Sequence, residues 1–241
     1  MGKVGYIGLA AIALGIASSA GAAIVTQWDF NGPDSASVPG GTASPTPSIG
    51  AGTASLVGGA TATFASASSD GGSSDPAVGT PPDFAWNTTT YPAQGTGNNS
   101  RGVQFLVDTT GLSDDFTIMY DVRGSNTASR FIRLMYTTDG ASYSSAGLTN
   151  DGVFEITGGP VFHNQIQFWF GGIAGVANNA SFGFRIVTTF GPAGAYVPIG
   201  ATSTYGTTGT LRYDMVTLFT PAPGALALLG AAAFVTRRRR A

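Results

Sequence analysis

The chain has 241 residues, no cysteine and one histidine, His163. Disulfides, thiol catalysis and thiolate-bound zinc are therefore excluded, as is every metal motif that needs two histidines. Between residues 23 and 220 there is no lysine, and six arginines stand against thirteen carboxylates, a net charge of −7; nucleic acid, which needs clustered cations against its phosphates, is excluded as a partner.

The first segment reads as a secretory signal peptide. Lys3 supplies the positive start, Val4 to Ala17 the apolar run, and Ala20-Gly21-Ala22 a small-residue cleavage site. Signal peptidase is then expected to act after Ala22, so residues 1–22 are removed and Ala23 begins the mature chain. The body, residues 23–220, offers roughly 200 residues, enough for one domain with its own core.

Along that body, β-branched and aromatic residues arrive in short bursts between clusters of Gly, Pro, Asn, Asp and Ser, the pattern of an all-β sandwich. The first strand is expected over 24–30, ending at Asn31-Gly32-Pro33-Asp34. Residues 35–53 read as a low-complexity loop, 54–65 as one weak strand, and 66–82 as a second loop. Trp86, Asn87 and Tyr91 fall in an apparent loop. Alternation strengthens at Val103-Phe105-Val107 and again at Phe116-Ile118-Tyr120-Val122, where period two sends Thr117, Met119, Asp121 and Arg123 to the other face. Further strands are expected over 130–138, 152–157, 165–170, 181–190 and 210–220. In the last, Leu211, Tyr213, Met215 and Phe219 share a face. About nine strands with long loops predict a jelly-roll-like sandwich, its first and last strands side by side.

Candidate chemistry is sparse. Paired terminal strands would bring Asp29 and Asp214 together, a suggestive place for a structural Ca²⁺, a hard cation that takes six to eight oxygens. Asp70, Asp75, Asp114, Asp115, Asp139 and Asp151 lie in turns, where Asp commonly bonds its own backbone. No other cofactor is expected. A sugar site needs an aromatic platform beside polar groups, and Trp86 with Tyr91 offers one; Tyr143 and Tyr205 are further candidates, while Trp169, within Phe168-Trp169-Phe170, reads as core. Hydrolysis is poorly served, because Glu155 is the only glutamate, Asp114-Asp115 would point apart, and His163 has no nucleophile elbow near it. Arg123, Arg130 and Arg133 read as ion-pair partners for the abundant carboxylates.

The last segment, 221–241, carries the strongest signal. Pro221 and Pro223 stop the preceding strand, Gly224 begins an apolar run to Val235, and Arg237, Arg238, Arg239 and Arg240 follow directly. Twelve apolar residues in a helix reach about 18 Å, short of a hydrocarbon core of about 30 Å, which suits a short hydrophobic helix acting as a transient anchor. The order Pro221-Ala222-Pro223-Gly224, apolar run, arginine block resembles the PEP-CTERM sorting signal of exopolysaccharide-producing Gram-negative bacteria. It departs from that signature at Ala222, where the family has Glu. The resemblance covers about a tenth of the chain. It implies transient inner-membrane anchoring, processing by an exosortase-type enzyme, and delivery to the cell surface or to an exopolysaccharide or biofilm matrix. The expectation is thus an exported, non-catalytic surface or matrix protein, with a carbohydrate-binding module holding structural calcium, and then a secreted hydrolase, as the alternatives.

Overall fold

The structure, a computed structural model, describes residues 22–31, 44–77, 83–112 and 115–220. Ala20 and the segment Pro221, Pro223, Gly224 and Arg237–Arg240 lie outside the described residues, as does Asp114, and Ala22 is exposed. Among the described residues the apolar bursts form eleven strands: β1 (Ala23–Trp28), β2 (Thr53–Val57), β3 (Thr61–Ser66), β4 (Phe84–Thr89), β5 (Gly102–Leu106), β6 (Thr117–Gly124), β7 (Phe131–Thr137), β8 (Val153–Glu155), β9 (His163–Trp169), β10 (Gly183–Thr188) and β11 (Leu211–Thr220). One 3₁₀ turn, Thr149–Gly152, precedes β8. Among the described residues no helix is long and apolar enough to cross a membrane.

The strands build two antiparallel sheets. One runs β3-β4-β11-β6-β9, with β1 beside the C-terminal part of β11, and the other runs β2-β5-β10-β7-β8. The first and last strands do pair, from Ala23 opposite Thr220 to Trp28 opposite Val216. Each sheet alternates, and the inward rows interlock through aromatic rings. Trp28 and Trp86 of the first sheet meet Phe105 of the second at 4.8 and 6.3 Å between centroids, and Phe105 stacks on Phe184 at 5.0 Å. Toward β6 and β9, Phe182 packs edge-on against Phe116 at 5.1 Å and Phe170 at 5.8 Å. All of these rings are fully buried. With no disulfide, this aromatic seam and the aliphatic side chains buried beside it, Ile118, Leu134 and Ile186 among them, join the two sheets.

Three local readings are corrected. Residues 54–65 form two strands in different sheets, because Gly58 and Gly59, at φ +67° and +88°, turn the chain across the sandwich. Residues 84–89 are a central strand rather than a loop. Their signal is masked because Thr88 takes an inward place, where its hydroxyl is satisfied by the Leu211 carbonyl at 3.0 Å and by the Tyr91 hydroxyl. In β11 the alternation inverts half-way. Leu211 and Tyr213 face the core, but beyond Asp214 the core residues are Val216 and Leu218, while Met215 and Phe219 are part-exposed. Met215 sits at φ +47° and the pairing with β6 slips between Asp214 and Thr217. Asp214, opposite Asp121, is the last residue in register with β6 before that bulge, and Met215 and Val216 leave the β6 ladder.

Candidate metal centre

The bulge of β11 places Asp214 against two carboxylates from the chain that leads into β4. Asp75 lies in the loop after β3 and Asp83 stands directly before β4; one ligand oxygen from each of the three lies within 4.8 Å of the others. Asp214 is 0 % and Asp83 5 % exposed. Asp214 accepts the Met215 N–H at 2.8 Å, but its Oδ2 and the Oδ1 of Asp83 are buried without a hydrogen-bond partner.

Buried carboxylate oxygens without donors are costly, and three such groups side by side resist ionising together. Burial first, and then Asp75, raises the Asp83 carboxyl to about 6. Burial above all raises Asp214 to about 9, with Asp83 and Asp75 adding to it; the Ser73 hydroxyl pulls both the other way. Among the described residues no basic side chain contributes to either group.

The surroundings hold these carboxylates in place. Asp75 accepts the Ala77 N–H at 2.7 Å through Oδ1 and the Asn31 amide at 2.6 Å through Oδ2. The Asn31 Oδ1 in turn accepts the Phe84 N–H at 2.7 Å, tying the exit of β1 to the start of β4. Asp121, fully buried on β6 nearby, is satisfied by the N–H groups of Ser74 and Gln165. Three non-glycine residues at positive φ adjoin this assembly: Phe30 at +56° before Asn31, Gln165 at +57° on Asp121, and Met215 at +47° after Asp214.

The donor set fits a hard divalent cation: all oxygen, anionic, with two buried oxygens that have no other claim on them. Of the two residues that strand pairing suggested, Asp214 belongs to the trio and Asp29 does not. Asp29 accepts the Asn31 N–H at 3.2 Å and so stands behind Asp75, one hydrogen-bonded residue away. Asp75 reads in the sequence as a turn residue, and Asp83, after Pro81-Pro82, shows no sign of its role. Only the folded chain brings them together with Asp214.

The aromatic candidates are also rearranged. Trp86 is 0 % and Tyr91 1 % exposed, so neither offers a ring face to a ligand. Tyr205 is buried too, donating to the Pro92 carbonyl at 2.8 Å. Tyr143 lies on the Arg185 guanidinium, 3.5 Å from ring centroid to Cζ. Trp169, expected in the core, is instead 59 % exposed, because β9 turns Ile166 and Phe168 inward. Arg123 pairs with Asp70 at 2.7 Å, Arg133 with Asp151 at 3.3 Å, and Arg130 lies 3.9 Å from Glu155. His163 packs on Phe154, with Nε2 2.9 Å from the Thr157 carbonyl.

No protein-family model and no curated protein matches the chain. Among solved structures, the CBM22-1 xylan-binding domain of Paenibacillus barcinonensis Xyn10C is similar at TM-score 0.43 and 9 % identity, over 85 % of this chain and 99 % of that one. The K1 cleaved adhesin domain of Lys-gingipain from Porphyromonas gingivalis W83 is similar at TM-score 0.31 and 12 % identity, over 72 % of this chain and 99 % of that one. Likeness at this distance carries no functional weight.

Proposed function

We propose that this chain is an exported, non-catalytic surface or matrix protein, wound as a jelly-roll-like sandwich and braced by a Ca²⁺ held between Asp75, Asp83 and Asp214. The observation that carries the cation is the pair of buried, unpartnered oxygens on Asp83 and Asp214. A divalent ion there neutralises charges that the fold otherwise keeps apart by protonation, and it staples β11 to the loop before β4. Calcium suits the all-oxygen donor set and an extracellular setting where it is abundant. In a chain without disulfides such a staple takes over part of their role.

The same geometry disfavours hydrolysis. The carboxylates that come close together are sealed from solvent at Asp83 and Asp214, so a substrate has no approach to them. Glu155 faces Arg130, and His163 is spent on a carbonyl. Export rests on the two end segments: a signal peptide over 1–22 and a sorting segment over 221–241 that an exosortase-type enzyme processes after transient anchoring in the inner membrane. The destination is the cell surface or an exopolysaccharide matrix.

Two experiments test this. Thermal melting in EDTA and in CaCl₂ must differ; equal midpoints sink the cation. Replacing Arg237–Arg240 with Ser must alter localisation; normal surface delivery of that variant overturns the sorting reading.

A further inference from the structure

Three tryptophans are present, and two of them, Trp28 and Trp86, are wholly buried. Trp169 is the exception. It ends β9, an edge strand of its sheet, opposite Thr117. An indole left more than half exposed forgoes much of the gain its burial would bring.

Its ring is seated rather than loose. A Cβ built on Gly171 would collide with ring atoms Cζ2 and Cε2 of Trp169 and stand 2.6 Å from Asp115 Oδ1. The indole thus occupies space over the backbone that only a glycine leaves open, and the Asp115 carboxylate converges on the same spot. Two residues back along β9, on the same face, Gln167 is exposed and directs its amide toward Met119 Sδ at 3.7 Å. A fixed aromatic surface, a carboxylate at its edge and an amide one step along the strand are the groups that recognise a pyranose. The apolar C–H face of the sugar covers the ring, while its hydroxyls donate to the carboxylate and bond the amide.

Charge selects among partners. The body carries −7 overall and the group beside the ring is itself a carboxylate, so anionic polymers and anionic lipid surfaces are repelled. A neutral glycan is not. An edge strand has no side walls, so a long chain can run past it without needing a free end. The open cleft of about 420 Å³ at the loops holding Asn126, Arg130, Thr157 and Ser203 has no aromatic wall and lacks this chemistry.

We propose that Trp169, with Asp115 and Gln167, forms an edge-strand subsite for a neutral polysaccharide. The inference rests on the exported-protein reading for access to such a polymer, and not on the cation. The test uses the full chain in a polyoxyethylene detergent, whose headgroup is not a sugar, run on native gels containing hydroxyethyl cellulose, galactomannan or alginate. Retardation is expected in a neutral gel and not in alginate. Trp169→Ala should lower apparent affinity about tenfold, as loss of a central aromatic contact does. Trp169→Tyr should keep most of the binding. Gly171→Ala, which unseats the ring, should lose it. The melting midpoint of Trp169→Ala, read in parallel, should stay at the wild-type value because the ring is exposed. No retardation in either neutral polymer, equal retardation of Trp169→Ala, or stronger retardation in alginate would each overturn the proposal. So would a blue shift of tryptophan emission on detergent-free phosphatidylcholine vesicles that wild type shows and Trp169→Ala does not, which would make the patch a membrane contact. Failure here leaves the EDTA and localisation results untouched, so the two readings stand or fall separately.

Discussion

Asp83 and Asp214 bring carboxylate oxygens within 4.8 Å of each other inside the protein, at 5 % and 0 % exposure, each with one oxygen that no donor reaches. Two carboxylates in that relationship must share protons or share a cation. Which of the two they share is set by pH and by calcium, and the consequences are measurable.

The first consequence is a pH dependence of the cation-free protein. Both carboxyls titrate higher in the folded state than the roughly 4 of an unfolded chain. The stability they permit is therefore complete below about pH 4, and it is lost as pH rises, first through about 6 at Asp83 and then through about 9 at Asp214. In EDTA the melting midpoint should fall across that window. Saturating calcium should flatten the fall. At a hundredfold excess over its dissociation constant it adds about 2.7 kcal/mol, visible as a rise of several degrees. Calorimetry at pH 5, 7 and 9, with and without calcium, reads both.

Asp214→Asn separates the charge from the shape. In EDTA near neutral pH the variant should melt a few degrees above wild type, since it removes a buried group that ionises on unfolding. In calcium it should lose most of the cation's stabilisation. Wild type and variant responding equally to calcium would place the ion elsewhere.

Phe105 touches Trp28, Trp86 and Phe184 and so joins both sheets. Phe105→Ala should cost about 3–5 kcal/mol, the range for a large aromatic deleted from a core. Chemical denaturation gives the value; a cost under about 1 kcal/mol would mean the seam is not what joins the sheets.

Gly102 begins β5 where β10 passes closest. A methyl there would run into the Ile186 carbonyl and come within 2.8 Å of the Val187 Cα. The obstacle is backbone and cannot rotate away, so Gly102→Ala should destabilise by about 1–3 kcal/mol, the usual cost of overpacking. Gly102 does not lie at positive φ, so the cost reports the clash alone.

Much of the sandwich is legible in the sequence because period two is a local property. Val103 and Phe105, Phe116 to Val122, and Phe182 to Ile186 announce which side is buried, and the structure buries them. Legibility fails where a polar residue takes an inward place or the period breaks. Thr88 hides β4 because its hydroxyl is satisfied by a strand far along the chain. The bulge at Met215 inverts β11, and no single-strand pattern shows that inversion. The aromatic residues mislead for a related reason: Trp86 looks exposed between threonines and prolines, and Trp169 looks buried between phenylalanines. Which side an indole faces depends on the register of its strand, not on its neighbours in sequence.

By itself, then, the sequence determined the all-β class, the absence of thiol and paired-histidine chemistry, the acidic body, and the apolar composition of the two end segments, all of them properties of composition and short-range order. Only the tertiary structure decided that Asp75 and Asp83 meet Asp214 while Asp29 stands aside, and that Trp169 is the tryptophan left facing out. Both outcomes follow from strand register and from one backbone bulge, which set distances between residues far apart in the chain, and pairwise distance is not written in local pattern.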